Sequence, residues 1–586
     1  MRLHKKASAL AGLGLALVVS QGTLHAQLLP PQDVAPEPSS GYTEKKVVTA
    51  RKFMIATANP HATRAGDEML KAGGSAVDAA IAAAVMLNLT EPQSSGIGGG
   101  AFILSFDAAG KSVNAYDGRE KAPATAQGDR FLDSKGKPLP LRDAINSGKS
   151  VGVPGLLRVM ELAHQKHGKL PWAQLFEPTI RLAETGFPVS ERLHTVIKLD
   201  KTLRANANAR AYFYDAAGEP LAVGATLKNP AFAAVLRRVA KEGPDAFYKG
   251  EIARDISAAV NSQPQPGGMT VQDIAAYQAK ERTVLCGTYR AYKVCGMPPP
   301  SSGGIAVLSM LGALERFPMS TVRPNSAEAV HLFSEAGRLA YADRDYYVGD
   351  PDFVNVPATA LVAPDYLKTR SALIRPDASM KRAAPGVPAG VKLAWAPDEL
   401  SEIPATSHIS VIDPAGNAVS MTTTIEAVFG SHIMVHGFLL NNQMTDFAMA
   451  PEENGLPVAN RIEGGKRPRS TMSPTLVFDA AGKLKMTVGS PGGSAIINYV
   501  AKTLVGVLDW NLDIQQAISL PNRGSRNRAT EVELGTELEK LAGPLKAMGH
   551  EVQAIEFTSG LQGIVVTQGG LSGGADPRRE GFVMGE

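Results

Sequence analysis

The chain has 586 residues, enough for a large buried core and, on length alone, for several domains. Lys and Arg number 60 against 56 Asp and Glu, a formal net charge of +4, and three of the basic residues (Arg2, Lys5, Lys6) crowd the first six positions. The remainder is close to neutral, which argues against a nucleic-acid surface.

Residues 1–26 read as a secretory signal: a basic head, then an apolar run over 9–19 that is short for a membrane span. Cleavage after Ala26 fits, but Leu24 is larger than the residue usual at that place, so the exact bond and an uncleaved anchor both stay open. The expected location is periplasmic or secreted, with no membrane span after signal removal. Residues 27–49 form a flexible lead-in, rich in Pro, Gln and Ser as far as Thr43. A helical region follows over 62–89, where Ala76, Ala79, Ala80, Ala83 and Ala84 give a small-residue face able to pack closely on a sheet. Strands are expected at 96–105 and 113–117. Helices are expected from Leu156 and over 175–185, 231–241, 252–261 and 273–279, and a strongly amphipathic one over 327–343. Cys286 and Cys295, the only cysteines, flank Gly287-Thr288-Tyr289-Arg290 within two strand-like runs. A hairpin would bring them together in a compartment where disulfides persist, so a bond is expected.

Residues 375–401 are rich in Pro and Ala with little periodicity, a loose segment. Then comes a strand over 404–413, a turn at Pro414-Ala415-Gly416-Asn417, and a second strand over 418–426. Pairing Asp413 with Ala418 puts Thr406 opposite Ile425, to within one residue of register, with Thr424 and Glu426 close by. Alone, this is an ordinary Thr-rich strand pair. Further strands are expected at 434–441, 474–479 and 484–489, and a helix at 496–508.

Three later motifs change the weighting: Leu440-Asn441-Asn442-Gln443-Met444-Thr445-Asp446-Phe447, Arg467-Pro468-Arg469-Ser470-Thr471-Met472-Ser473-Pro474, and Gly489-Ser490-Pro491-Gly492-Gly493-Ser494. In this order after a Thr-Ser-His-x-Ser strand, the set resembles the gamma-glutamyltranspeptidase family. Upstream, residues 91–100 (Glu91 to Gly100), Asp117-Gly118-Arg119-Glu120 and residues 298–304 agree, as does Gly574-Ala575-Asp576-Pro577-Arg578-Arg579. The likeness runs from about Ala50 to the C-terminus. Each glycine-rich piece is weak alone; the combination is specific.

The resemblance implies the four-layer αββα sandwich of the N-terminal nucleophile hydrolases, built from one precursor cut between Ala405 and Thr406. Residues 50–405 would form a large subunit and residues 406–586 a small catalytic one. The chemistry is coherent. A threonine hydroxyl is a weak nucleophile that needs a base beside it. Cutting before Thr406 frees an α-amine with an ordinary pKa of about 7.7–8.0, which can take the hydroxyl proton; the uncut amide cannot. The resemblance makes Thr424 a partner of the nucleophile and Gly492 and Gly493 the oxyanion donors. Arg119 would clamp the carboxylate of a γ-glutamyl donor, with Ser470 and Thr471 adding hydroxyls. Asp446 would hold the ammonium, helped by Gln443. The blander reading of Arg119 is a salt bridge to Glu120 or Asp117.

Two departures from the family pattern bear on specificity. Glu426 stands where well-known members carry Asn, and only 23 residues separate Asp446 from Ser470, so residues 450–465 are expected to leave the groove open to bulkier donors. His408, His432 and His436 lack a ligand set of acidic or Cys partners, so no metal and no cofactor is expected. The expected partners are a small γ-glutamyl donor such as glutathione and an amino-acid or peptide acceptor, with no nucleic acid. Two rivals stand beside this reading: a cephalosporin (glutaryl) acylase-like amidase of the same superfamily, and an uncut, inactive amino-acid-binding protein.

Overall fold

The structure, a computed structural model, describes residues 39–399, 403 and 405–586. The signal segment and most of the lead-in lie outside them. Fourteen strands build two seven-stranded sheets. In chain order they are β1 (Val48–Ala50), β2 (Met54–Thr57), β3 (Gly100–Asp107), β4 (Ser112–Gly118), β5 (Lys280–Arg282), β6 (Leu285–Tyr289) and β7 (Tyr292–Gly296). After residue 405 come β8 (Ser407–Ile412), β9 (Ala418–Thr424), β10 (Thr475–Phe478), β11 (Leu484–Gly489), β12 (Gln562–Thr567), β13 (Gly570–Ala575) and β14 (Phe582–Gly585). One sheet runs β14-β2-β8-β9-β3-β4-β5, the other β1-β13-β12-β11-β10-β7-β6, and all pairings within them are antiparallel.

Strand alternation decides what lies on each face. Along β8 and β9, Ile409, Val411, Val419 and Met421 join the core under the helices α1 (Pro60–Lys71), α2 (Ala76–Thr90) and α3 (Leu156–His167). The other face looks across at β11 and β12, where Ile412 and Ala418 join Met486 and Ile564 in one core. Beyond the second sheet lie α4 (Gly303–Leu314), α5 (Ala327–Tyr347) and α6 (Ile496–Leu508). The layers are helix, sheet, sheet, helix.

The expected helical region over 62–89 is two helices. Gly73 adopts φ +86°, the left-handed conformation that ends α1, and Ser75 and Asp78 form a reciprocal cap that starts α2. Every residue of α2 is buried, as its alanines allow. The hairpin register differs by one residue: Ile412 pairs with Ala418, so Ser407 faces Thr423 and the residue across from Thr406 is Thr424, not Ile425. Asp413 faces Asn417 and closes the turn: its N–H donates to the Asn417 carbonyl at 3.0 Å, and its carboxylate accepts from the N–H groups of Ala415 and Asn417. The helix expected at 273–279 is shorter and earlier (Val271–Ala275), since Lys280 already joins the sheet edge. The strand at 434–441 is two short strands, Met434–Val435 and Phe438–Leu439, turned at Gly437 with φ +83°. Cys286 and Cys295 stand opposite each other on β6 and β7 with sulphurs 2.09 Å apart.

Candidate active site

Thr406 immediately precedes β8, at the centre of a sheet, with Ala405 buried behind it. The Thr406 hydroxyl touches the Ala405 carbonyl oxygen and lies 3.3 Å from the Thr424 hydroxyl. Thr424 accepts the Glu426 backbone N–H at 2.8 Å and gives its own proton to the Ala405 carbonyl at 3.1 Å. The two threonines and the peptide bond before Thr406 therefore form one cluster. A polarised carbonyl beside a hydroxyl is what an internal acyl shift needs.

Glu426 has φ +80°, unusual for a residue with a side chain. Its carboxylate is held by the Asn442 amide and accepts the Ile403 N–H at 3.3 Å. Asn442 leads into a 3₁₀ turn, Gln443–Asp446, in which the Gln443 amide donates to Asp446 at 2.7 Å. Asp446 also receives the Arg119 guanidinium at 2.5 Å. Arg119, at the end of β4, donates further to the carbonyls of Pro468 (3.2 Å) and Arg469 (2.8 Å), just before Ser470. The salt-bridge alternatives for Arg119 are weaker. Asp117 uses its carboxylate on the Arg119 backbone N–H and on Arg282, and Glu120 stands 3.8 Å away. The Glu120 carboxyl is fully buried, and burial lifts its pKa to about 8, against the pull of Arg119.

The glycine turn follows β11. His408, buried and held neutral by desolvation with its pKa pushed down to about 3, lays its ring on Gly489; a Cβ there would meet ring atoms at 2.2 Å. Thr406 and the Gly492-Gly493 turn thus leave the two facing sheets at the same end. Gly492 has φ +134°, and a Cβ on it would lie 2.4 Å from the Tyr499 ring. The Thr471 hydroxyl donates to the Gly493 carbonyl at 2.8 Å and so braces this turn. The Ser470 hydroxyl accepts from the Met472 N–H at 3.1 Å.

The histidines do not converge. His432 and His436 each meet a single acid, Asp200 and Asp255, at 2.7 Å and in separate places; His408 bonds Thr422 and Ser410. A group that sequence reasoning missed is His331, Glu335 and His550. Its ring nitrogens are all engaged, with each other, with the Arg375 carbonyl and with the Thr530 hydroxyl. Also missed were Tyr277, whose hydroxyl donates to the Arg119 carbonyl at 2.7 Å, and Asn442. Asn442 stands inside the Leu440–Phe447 motif; Tyr277 carries no local signal.

Two antiparallel sheets between helical layers, with a threonine opening a central strand, define the N-terminal nucleophile hydrolase fold. The same architecture is found in the cephalosporin acylase of Bacillus halodurans, with a TM-score of 0.80 and 26% identity over 94% of this chain and 99% of that one. The model of the gamma-glutamyltranspeptidase family matches residues 62–586. The chain is 38% identical to the glutathione hydrolase proenzyme of Bacillus subtilis (strain 168), across 98% of its length and 97% of that protein. It is 39% identical to the glutathione hydrolase proenzyme of Escherichia coli (strain K12), across 98% of both. The chain belongs to the gamma-glutamyltranspeptidase family.

Proposed function

We infer that this protein is an exported, self-processing γ-glutamyl hydrolase and transferase that acts on glutathione and related amides. The observation that carries this reading is the buried Arg119–Asp446 pair, one cation and one anion 2.5 Å apart on neighbouring elements. A γ-glutamyl group presents a carboxylate and an ammonium on one carbon, and such a donor would exchange each half of the pair for its own opposite charge. Ser470 adds a hydroxyl beside Arg119, and Gln443 and Glu426 border the ammonium side.

Processing comes first. Thr406 Oγ attacks the Ala405 carbonyl carbon, the peptide C–N bond breaks as the ester C–O bond forms, and water hydrolyses the ester. The products are residues 50–405, with what remains of the lead-in, and residues 406–586. The freed Thr406 amine then accepts the hydroxyl proton as Oγ attacks the γ-carbonyl of the donor. Backbone N–H groups of Gly492 and Gly493 receive the developing oxyanion. The proton passes to the departing amine, and the γ-glutamyl ester on Thr406 is released by water, an amino acid or a peptide. The signal over 1–26 delivers the chain to the periplasm or medium. Among the described residues, no helix is long and apolar enough to cross a membrane.

A second reading, glutaryl amide hydrolysis, is favoured by Glu426 and by the likeness to a cephalosporin acylase. Assaying processed protein on γ-glutamyl-p-nitroanilide and on glutaryl-p-nitroanilide separates the two. The γ-glutamyl compound is expected to be cleaved at least tenfold faster in kcat/KM, because Asp446 has a cation to hold in that donor only. A preference for the glutaryl compound overturns the reading.

A further inference from the structure

The Gly492-Gly493 turn is held from outside by residues that the catalytic scheme does not use. Gly492's carbonyl accepts from the Ala495 N–H at 3.2 Å. In a planar trans peptide the N–H points opposite to the C=O, so this bond sets the direction of the Gly493 N–H. The next two residues are pinned in turn. Thr471 donates to the Gly493 carbonyl, the Tyr341 hydroxyl donates to the Ser494 carbonyl, and Arg526 Nη1 donates to Ser494 Oγ at 2.7 Å. Ser494 is buried.

Arg526 is itself held on both sides of its guanidinium. Nη2 meets Glu531 Oε1 at 2.5 Å and Nε meets Oε2 at 3.1 Å, a bidentate pair that fixes the plane from which Nη1 reaches Ser494. The loop carrying Arg526 packs on α5 at Gly337, where a Cβ would lie 2.6 Å from the Ser525 carbonyl oxygen. Tyr341 sits one helical turn further along α5. One helix thus supports both anchors of Ser494.

We propose that Arg526, locked by Glu531, is a positioning residue for acyl transfer: it fixes Ser494 and, through the turn, the Gly493 N–H that faces the oxyanion. It acts through Ser494 and touches no substrate. The proposal rests on Gly492-Gly493 being the oxyanion turn, and it does not depend on which acyl group the enzyme prefers.

The test compares R526M, R526K, S494A and R526M/S494A with the unaltered enzyme on both anilides, reading kcat and KM on whichever is cleaved. R526M and S494A are each expected to lower kcat by about tenfold or more, the scale of a misplaced oxyanion donor, with KM within about twofold. R526K should recover part of the loss, and the double variant should be no worse than the poorer single one, since both act through one contact. Unchanged kcat in processed R526M and S494A, or losses that multiply in the double variant, overturns the proposal. If R526M does not mature, S494A and R526K decide between the same two outcomes. A glutaryl preference in the unaltered enzyme defeats the γ-glutamyl reading alone; cleavage of neither anilide by processed enzyme defeats both.

Discussion

Arg119 and Asp446 bring opposite charges together in a place that excludes water, and each depends on the other. Replacing Arg119 by Met leaves the Asp446 carboxylate buried without that cation, and a stability loss of about 3–5 kcal/mol is expected in chemical denaturation. Replacing it by Lys keeps the charge but loses the planar fork. KM for the γ-glutamyl anilide should rise roughly 10- to 100-fold, the value of one charge-assisted hydrogen bond, with kcat less affected. Unaltered kinetics in Arg119→Lys would refute the carboxylate clamp. Glu120 carries a pH signature. Its folded pKa of about 8 lies above the ordinary carboxylate value of 4.5. Between these values the folded protein holds a proton that the unfolded chain has released. Stability from this group is therefore complete below about pH 4.5 and is lost as pH rises toward 8. Melting curves of Glu120→Gln should match those of the unaltered protein near pH 4.5 and lie above them at pH 8–9. Equal curves at both pH values would remove Glu120 as a buried acid. Glu426 was legible as a departure from the family pattern, but its left-handed backbone and its hold on the Ile403 N–H were not, because both depend on Asn442, sixteen residues away in the chain.

At the scale of elements, the strand pair β8–β9 meets β11 through hydroxyls of Ser410, Ser420 and Thr487 and, at its last residue before the glycine turn, through the His408 ring on Gly489. A methyl group there has no room, so Gly489→Ala should cost about 1–3 kcal/mol of stability and displace the base of the Thr406 strand. Gly492→Ala faces both the Tyr499 ring and an unfavourable backbone angle, and kcat should fall about 100-fold or more as the turn shifts. Wild-type kcat in Gly492→Ala would show that the turn tolerates repacking and is not an oxyanion site. The sequence shows the hairpin plainly, through alternation and a Pro-Ala-Gly-Asn turn. It mislays the register by one because Asp413 looks like a strand residue yet caps the turn with its side chain. The helical region is legible from its alanine pattern, and it breaks at Gly73-Gly74, where the Ser75–Asp78 cap marks a new start. Helix 273–279 is overextended for a tertiary reason: Lys280, Glu281 and Arg282 are drawn into the sheet edge by β4.

At the scale of the molecule, the two predicted subunits are not neighbouring domains. β8 lies between β2 and β9, and β9 between β8 and β3, so strands from before and after residue 405 alternate in one sheet. The second sheet likewise joins β7 to β10 and β1 to β13. Cutting one peptide bond leaves these ladders intact, and the two chains should comigrate on a native gel and separate only in denaturant. Residues 406–586 produced alone lack β2 and β3 and should show no cooperative unfolding transition; a cooperative one would contradict the interleaving. This architecture was legible through the order of motifs rather than through periodicity, since nothing in the alternation of β8 says which distant strands will flank it. The positions of Arg526 and Tyr341 were not legible at all. They reach Ser494 by tertiary packing across α5, and neither stands in a motif.

The mechanism turns on the amine that appears when the bond before Thr406 breaks. N-terminal sequencing with intact mass on purified, active enzyme tests it directly. The expected result is two chains, the smaller starting Thr406-Ser407-His408, with Thr406→Ala remaining one inactive polypeptide. Full activity in an unbroken chain would contradict the mechanism.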